Sequence, residues 1–391
     1  MSFSEILKTP GIPAVLFTQF MLAFGFGVIL PILPFYTLSL GAKPFELGLL
    51  TATFAFMSLL SNPFFGKLSD KIGRKKVLFM GVSGFLAAYL LFAFSDSLLL
   101  AFVARSIEGI AAGAVFPCCL SLLSDLTTEK QRGKAMGLFS MTFSLGFILG
   151  PAVGGIASAI SVKDVFFVSA GFSIINLCWI HFRLKEPHEK QESRDLTAQE
   201  VTLLERISSP LLFLFLSSFM ITFIIGGLDA TLALHTSAVL GFTSAQVGLV
   251  FTYIGFLILV MQLVSGSLVN RFGELNLIRV GLVFSGLGFF LLQYANDWPG
   301  LLFPLAVLVA GNALVFPSVS SLLTKKVTAK RGAVLGLAGS FNSSGQIVGP
   351  LLAGFLYGMV PAWAFWGMTF VIFSYALFFS AYAVPRLETK A

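Results

Sequence analysis

The sequence predicts an all-α polytopic membrane protein, twelve transmembrane helices arranged as two pseudo-symmetric six-helix bundles. Three observations carry this expectation. Apolar residues make up 57% of the chain and charged residues only 11%, too little polar surface for a soluble domain of 391 residues. Apolar stretches of bilayer length, about 20 residues, recur near 13–40, 45–66, 77–95, 98–122, 134–160, 164–184, 211–240, 245–270, 276–294, 299–323, 332–358 and 362–384. The two halves also repeat at an offset of about 200. Glu46-Leu47-Gly48-Leu49 returns as Gln246-Val247-Gly248-Leu249, Gly66 and Gly73 as Gly266 and Gly273, Val115-Phe116-Pro117 as Val315-Phe316-Pro317, and Gly150-Pro151 as Gly349-Pro350.

Taken in order, the chain begins with Glu5 and Lys8, then a hydrophobic run from Ile12 to about Leu40. That run is too long for a signal-peptide core and has no clear cleavage site, so it is the first span. Residues 1–184 form an N-terminal bundle and 210–391 a C-terminal bundle. The polar segment 185–209 links them on the cytoplasmic side, with a short amphipathic helix expected near Ala198–Ile207. All of the 25 Lys and Arg except Lys43, Lys163 and Arg105 fall on one side of the spans. The positive-inside rule makes that side cytoplasmic, together with both termini, in a multi-pass protein of the cell membrane.

The formal charge of +7 reads as cytoplasmic loops meeting anionic lipid, with no nucleic-acid footprint. Cys118, Cys119 and Cys178 lie in apolar segments and imply no disulfide framework. The sequence lacks a P-loop, a zinc-protease motif and a nucleophile elbow. ATP-driven transport and enzymatic activity are therefore disfavoured, and no cofactor or metal is expected. His235, near the outer end of the seventh span, reads as a headgroup contact.

Four stretches carry distinctive chemistry. Between spans two and three, Gly66 to Lys76 holds five cations (Lys67, Lys71, Arg74, Lys75, Lys76) and Asp70. Gly66 would let two helices touch, Asp70 would suit the N-terminus of another helix, and Arg74 could reach Asp125 at the end of span four. In the first span, Gly27, Pro31 and Pro34 interrupt an apolar run, and prolines there bend the helix and free carbonyls. In the fourth, Arg105 and Glu108 share a helix face three residues apart. In the fifth, Gly146, Gly150, Pro151, Gly154 and Gly155 form a small-residue stripe with a kink. Asp229, in the seventh span, is a further membrane carboxylate and so a functional candidate, with an outer-gate residue as the alternative.

These stretches resemble the signatures of the major facilitator superfamily, and the first- and fifth-span motifs resemble those of its drug:proton antiporter group. The resemblance covers about residues 10–385. It implies that Gly66, Asp70, Gly73, Arg74 and Asp125 form a cytoplasmic latch, and that the Gly146–Gly155 motif marks an exporter. Three departures stand out: Glu108 replaces the usual Gln, Asn270 and Glu274 alter the second copy of the latch, and Ala353 replaces a glycine in the second copy of the fifth-span motif. Glu108, beside Arg105, and Asp229 are the proton-coupling candidates. The bland alternative is a permanent Arg105–Glu108 pair that packs the spans. The expected function is proton-coupled efflux of small amphipathic compounds by alternating access. The partners are substrate, protons and membrane lipid, and the protein is a monomer. A dedicated exporter or lipid flippase, an uptake symporter and a non-transporting sensor are the alternatives.

Overall fold

The computed structural model describes residues 6–184, 211–326 and 331–388. The linker and its expected amphipathic helix lie outside the described residues, as do the extreme termini. The described residues contain no strand. The first span is α1 (Ile12–Ile29) and α2 (Leu33–Ser39), followed by α3 (Pro44–Ile72), α4 (Arg74–Phe94), α5 (Leu98–Asp125), α6 (Glu129–Ser158) and α7 (Val162–Arg183). The second half repeats this as α8 (Leu211–Leu240), α9 (Ser244–Phe272), α10 (Glu274–Leu292), α11 (Trp298–Lys326) and α12 (Arg331–Met359). The last span is α13 (Pro361–Phe378), which continues through a π-turn (Phe379–Ala383) into α14 (Val384–Glu388).

Eleven of the described helical stretches are long and apolar enough to cross a membrane. The twelfth, α12, is more polar, with Ser340, Asn342, Ser343, Ser344 and Gln346, but its 29 residues are of bilayer length. Large side chains that a soluble protein would bury point outward, such as Ile160 and Phe182 at 83% and 78% exposure.

The turns show why the repeat exists. The basic stretch between spans two and three is not a loop: α3 runs to Ile72, α4 starts at Arg74, and only Gly73 lies between. Its φ of +104° belongs to glycine, and Gly273 takes φ +77° at the matching point of the second half. The Glu46/Gln246 pair is a helix cap. Glu46 Oε2 accepts from the Lys43 N–H at 2.7 Å, and Gln246 Oε1 from the Thr243 N–H at 2.9 Å. The helices of spans two and eight are 29 residues each, about 44 Å. They therefore project their ends beyond the ~30 Å hydrocarbon layer.

Two compact units emerge. The first holds the described residues of Met1–Ala42, Thr53–Leu196 and Phe242–Gly255, and the second those of Lys43–Ala52, Thr197–Gly241 and Phe256–Ala391. Each chain half thus lends one short stretch to the other's unit. In the first unit α1 packs along α6, and α4 along α5 and α7; in the second α8 packs along α12, and α10 along α11 and α13.

Replacing Gly73 by Ala forces a Cβ into the left-handed region. It is expected to cost about 1–2 kcal/mol and to lower the melting temperature of the purified protein, whereas Gly133→Ala, in open helical surroundings, should not.

Candidate functional site

At the N-terminal end of α4, Arg74 Nη1 meets Asp125 Oδ2 of α5 at 2.5 Å, both side chains one-fifth exposed. Asp70 contributes a weaker contact to Arg74 at 3.8 Å and is itself 57% exposed. Among the described residues no hydrogen bond joins it to another helix's N-terminus, the partner expected from sequence. Gly66 also departs from expectation: a Cβ there would meet nothing within 4 Å. The two glycines of the motif therefore have different physical standing in this structure, since Gly73 is required by its backbone angle and Gly66 is uncrowded. Lys75 Nζ donates to the His181 carbonyl at 2.9 Å, a cation on the C-terminal end of α7 where the helix dipole favours one.

The second half keeps this geometry with opposite chemistry. Glu274 at the start of α10 pairs with Lys325 at the end of α11, and Ser321 Oγ also donates to it at 2.9 Å. The altered second copy is therefore an intact ion pair of reversed sign. The reversal matters energetically. Glu274 at a helix N-terminus and Lys325 at a C-terminus both agree with the helix dipoles. Arg74 at an N-terminus and Asp125 at a C-terminus both oppose them. Each such term is worth ~0.3–1 kcal/mol, comparable with a partly exposed ion pair itself, ~0.2–1 kcal/mol. The dipole contribution therefore favours the second-half pair, whose Lys325 is the more exposed partner at 65%.

The first- and fifth-span motifs meet each other inside the first unit. A Cβ on Gly146 would come within 2.6 Å of the Phe20 carbonyl, one on Gly150 within 2.6 Å of the Phe24 carbonyl, and one on Gly154 would overlap the Val28 carbonyl. Gly27 returns the contact, 3.0 Å from Pro151 Cδ. Backbone rests on backbone over two turns, which only glycine permits. Gly155 faces elsewhere, toward Ala245. Pro31 lies in the break between α1 and α2, and Pro34 in the first turn of α2. In the second unit Gly226 lies against Pro350 and Gly349 against Phe223, so α8 and α12 reproduce the contact.

Arg105 Nη1 binds Glu108 Oε2 at 2.6 Å, with the two side chains 1% and 0% exposed. The guanidinium stacks 5.1 Å from the Phe54 ring centre. Gly109 lets α3 approach, since a Cβ there would lie 2.5 Å from the Phe54 carbonyl. Among the described residues, Glu108 Oε1 and Arg105 Nε have no hydrogen-bond partner. A buried ion pair is costly unless its remaining lone pairs and protons are satisfied. Here one carboxylate oxygen and one guanidinium N–H are left without a partner among the described residues. Asp229 is half-buried on α8 in the second unit and is engaged in an interaction of its own, so it is not a solitary carboxylate.

Some of the polar interior escapes a reading of the sequence. Thr18 Oγ1 donates to Asn176 Oδ1 at 3.1 Å, while the buried Gln19 amide has no partner among the described residues. A cavity of about 20 Å³, lined by Gly25, Tyr89, Ser169, Ser173 and Asn176, has room for about one water. Tyr89 carried no motif; its only sequence signal is a phenol inside an apolar span. His235 is buried against Phe365, ring centres 4.7 Å apart, and is not a headgroup contact.

The family model described as Major Facilitator Superfamily matches residues 15–241 and 214–391. The chain belongs to this superfamily. Among curated proteins it is 28% identical over 358 residues to Multidrug resistance protein 1 of Bacillus subtilis (strain 168), covering 91% of this chain and 92% of that one. It is 31% identical over 358 residues to Tetracycline resistance protein, class B, of Escherichia coli, covering 88% of each. It is 26% identical over 347 residues to Quinolone resistance protein NorA of Staphylococcus aureus (strain COL), covering 87% of this chain and 88% of that one. Among solved structures, nucleoside transporter NupG superposes with a TM-score of 0.77 at 17% identity over 96% of this chain and 98% of that chain. The human organic anion transporter MFSD10 does so with 0.70 at 22% identity, over 96% and 99%. At these identities the solved structures establish the fold alone.

Two outcomes follow for this superfamily member. Arg74→Glu and Asp125→Lys should each lower the melting temperature, while the double variant, which mirrors Glu274–Lys325, should match or exceed the parent by about 1 kcal/mol. A double variant no better than the singles would mean the pair is not coupled. Gly150→Leu should destabilise the α1–α6 contact by at least 1–3 kcal/mol of overpacking, read as lost thermal stability, whereas Gly137→Leu, with open space around it, should not.

Proposed function

We propose that this protein is a proton-coupled efflux transporter, an antiporter that expels small amphipathic compounds by alternating access. The observation that carries this reading is the fully buried Arg105–Glu108 pair with its open carboxylate oxygen. Ionisable groups this deep in a membrane protein are expensive and are kept for function. Curated relatives named for multidrug, tetracycline and quinolone resistance support the substrate class. The glycine-tight α1–α6 contact supports the exporter reading of the fifth-span motif.

In the proposed cycle Glu108 exchanges its proton as the pair with Arg105 opens and closes, and Asp229 acts as a second carrier toward the outer face. Arg74, Asp125 and Asp70 form the latch. Its opposition to the helix dipoles suits a contact that must break once per cycle. The protein works as a monomer in the cell membrane, with both termini and the linker cytoplasmic, as the distribution of Lys and Arg directs.

One proton per substrate across a gradient of one pH unit supplies about 1.4 kcal/mol, enough for about tenfold accumulation. Proteoliposomes loaded with a fluorescent cationic dye and given such a gradient measure this directly. Glu108→Gln should abolish uphill dye movement yet keep downhill exchange. Should Glu108→Gln still concentrate dye like the parent, Glu108 is a packing residue; if neither parent nor variant moves dye but both scramble labelled lipid, the flippase reading replaces this one.

A further inference from the structure

An open apolar groove of about 890 Å³ lies between α10 and α13 in the second unit. Val283 and Phe290 form one wall, and Trp366, Phe370, Phe373 and Leu377 the other. Gly286 lets α13 pack closely against α10 beside it, since the Phe373 ring lies 3.0 Å from where a Cβ would stand. The groove runs from Trp366 to Ser380, about 21 Å along the helix, more than the ~15 Å depth of one leaflet's hydrocarbon. Of its three hydroxyls, Ser374 is exposed and the other two are turned inward. Thr369 donates to the Gly286 carbonyl at 3.4 Å and Ser380 to the Ala376 carbonyl at 2.8 Å. Those two groups are thus spent on the backbone, and the walls around them are hydrocarbon and aromatic ring.

A cation outside the lining lies toward one end. Arg279 lies one turn before Val283 on α10, so the two share a helix face. Gly286 is level with Thr369 and Phe373, and the helices are antiparallel, which puts Arg279 near the level of Ser380. Arg279 is half-buried, and among the described residues its Nε is buried without a hydrogen-bond partner. The acid nearest in sequence, Glu274, is already paired with Lys325. Arg386, on α14, is a second and exposed cation beyond the same end of the groove.

We infer that this groove is a binding site for an anionic glycerophospholipid. One acyl chain lies along Phe290, Phe373 and Leu377, and the phosphate is held by Arg279. The arrangement fits a lipid of the leaflet on the α10 N-terminal side, because five residues into α10 is headgroup depth. An amphipathic substrate would want polar groups along the walls, and these offer it little; a guanidinium at one end fits phosphate. This site is separate from the buried pair and does not depend on the transport reading.

The test is native mass spectrometry of the purified full chain exchanged into detergent with equal phosphatidylglycerol and phosphatidylcholine. The parent should retain phosphatidylglycerol preferentially. Arg279→Gln should weaken that retention about tenfold, the loss of one charge-assisted contact, and Arg279→Lys should restore most of it. Val283→Trp and Leu377→Trp, at exposed groove positions, should exclude both lipids while the melting temperature without lipid stays near the parent's. The proposal is overturned if Arg279→Gln keeps the parent's preference or if neither tryptophan variant reduces lipid retention. It is equally overturned if the groove variants instead dissolve a dimer, or if dye displaces the phosphatidylglycerol.

Discussion

The hydrocarbon layer supplies no hydrogen-bond partner, and the rest of this structure depends on that. Every backbone N–H and C=O within it must be satisfied by the chain itself, so the described spans are helical and the interruptions are few and placed. The break at Leu30–Ile32 contains Pro31 and is followed by Pro34, and the turn between α3 and α4 is reduced to one residue. The same scarcity sets how helices associate. Burying apolar side chains gains little when lipid is equally apolar, so contact comes from close backbone approach. That is what Gly146, Gly150 and Gly154 achieve against Phe20, Phe24 and Val28. It also raises the cost of burying Arg105 and Glu108, whose ion pair leaves one carboxylate oxygen without a partner among the described residues.

The two halves show how a duplicated fold retains geometry while changing its chemistry. Gly73 and Gly273 keep the same left-handed turn, and Glu46 and Gln246 the same cap, one charged and one neutral. The ion pairs at the ends of α4–α5 and α10–α11 occupy equivalent positions with opposite signs. Coulomb attraction is indifferent to which partner carries which charge, so either arrangement holds two helix ends together. The helix dipoles are not indifferent. They oppose the signs of the first-half pair and favour those of the second-half pair.

Much of this was legible in the sequence because hydropathy and glycine spacing act locally. The twelve spans, the repeat, and the Arg105–Glu108 and Arg74–Asp125 pairs follow from periodicity and from helix register: residues three apart share a face, and the ends of consecutive helices meet. The expectations that failed concerned partners distant in the chain. Asp70 was expected against another helix's N-terminus and instead lies exposed beside Arg74. Gly66 was expected in a close crossing and has open space. Glu274 looked like a lost cation and is half of an ion pair with Lys325, reversed in sign from Arg74–Asp125.

Composition, span length, charge asymmetry and motif spacing by themselves determined that this chain is a twelve-helix membrane protein of two related halves with an acid and a base buried in its fourth span. Those properties depend only on a residue and its neighbours within a helical turn. The tertiary structure alone decided that the first- and fifth-span glycines are each other's partners and that one oxygen of Glu108 is unfilled. It also decided that an apolar groove lies open between α10 and α13. Each of these is a question of which surfaces meet and what remains unmet in a medium without water, and no local pattern encodes that.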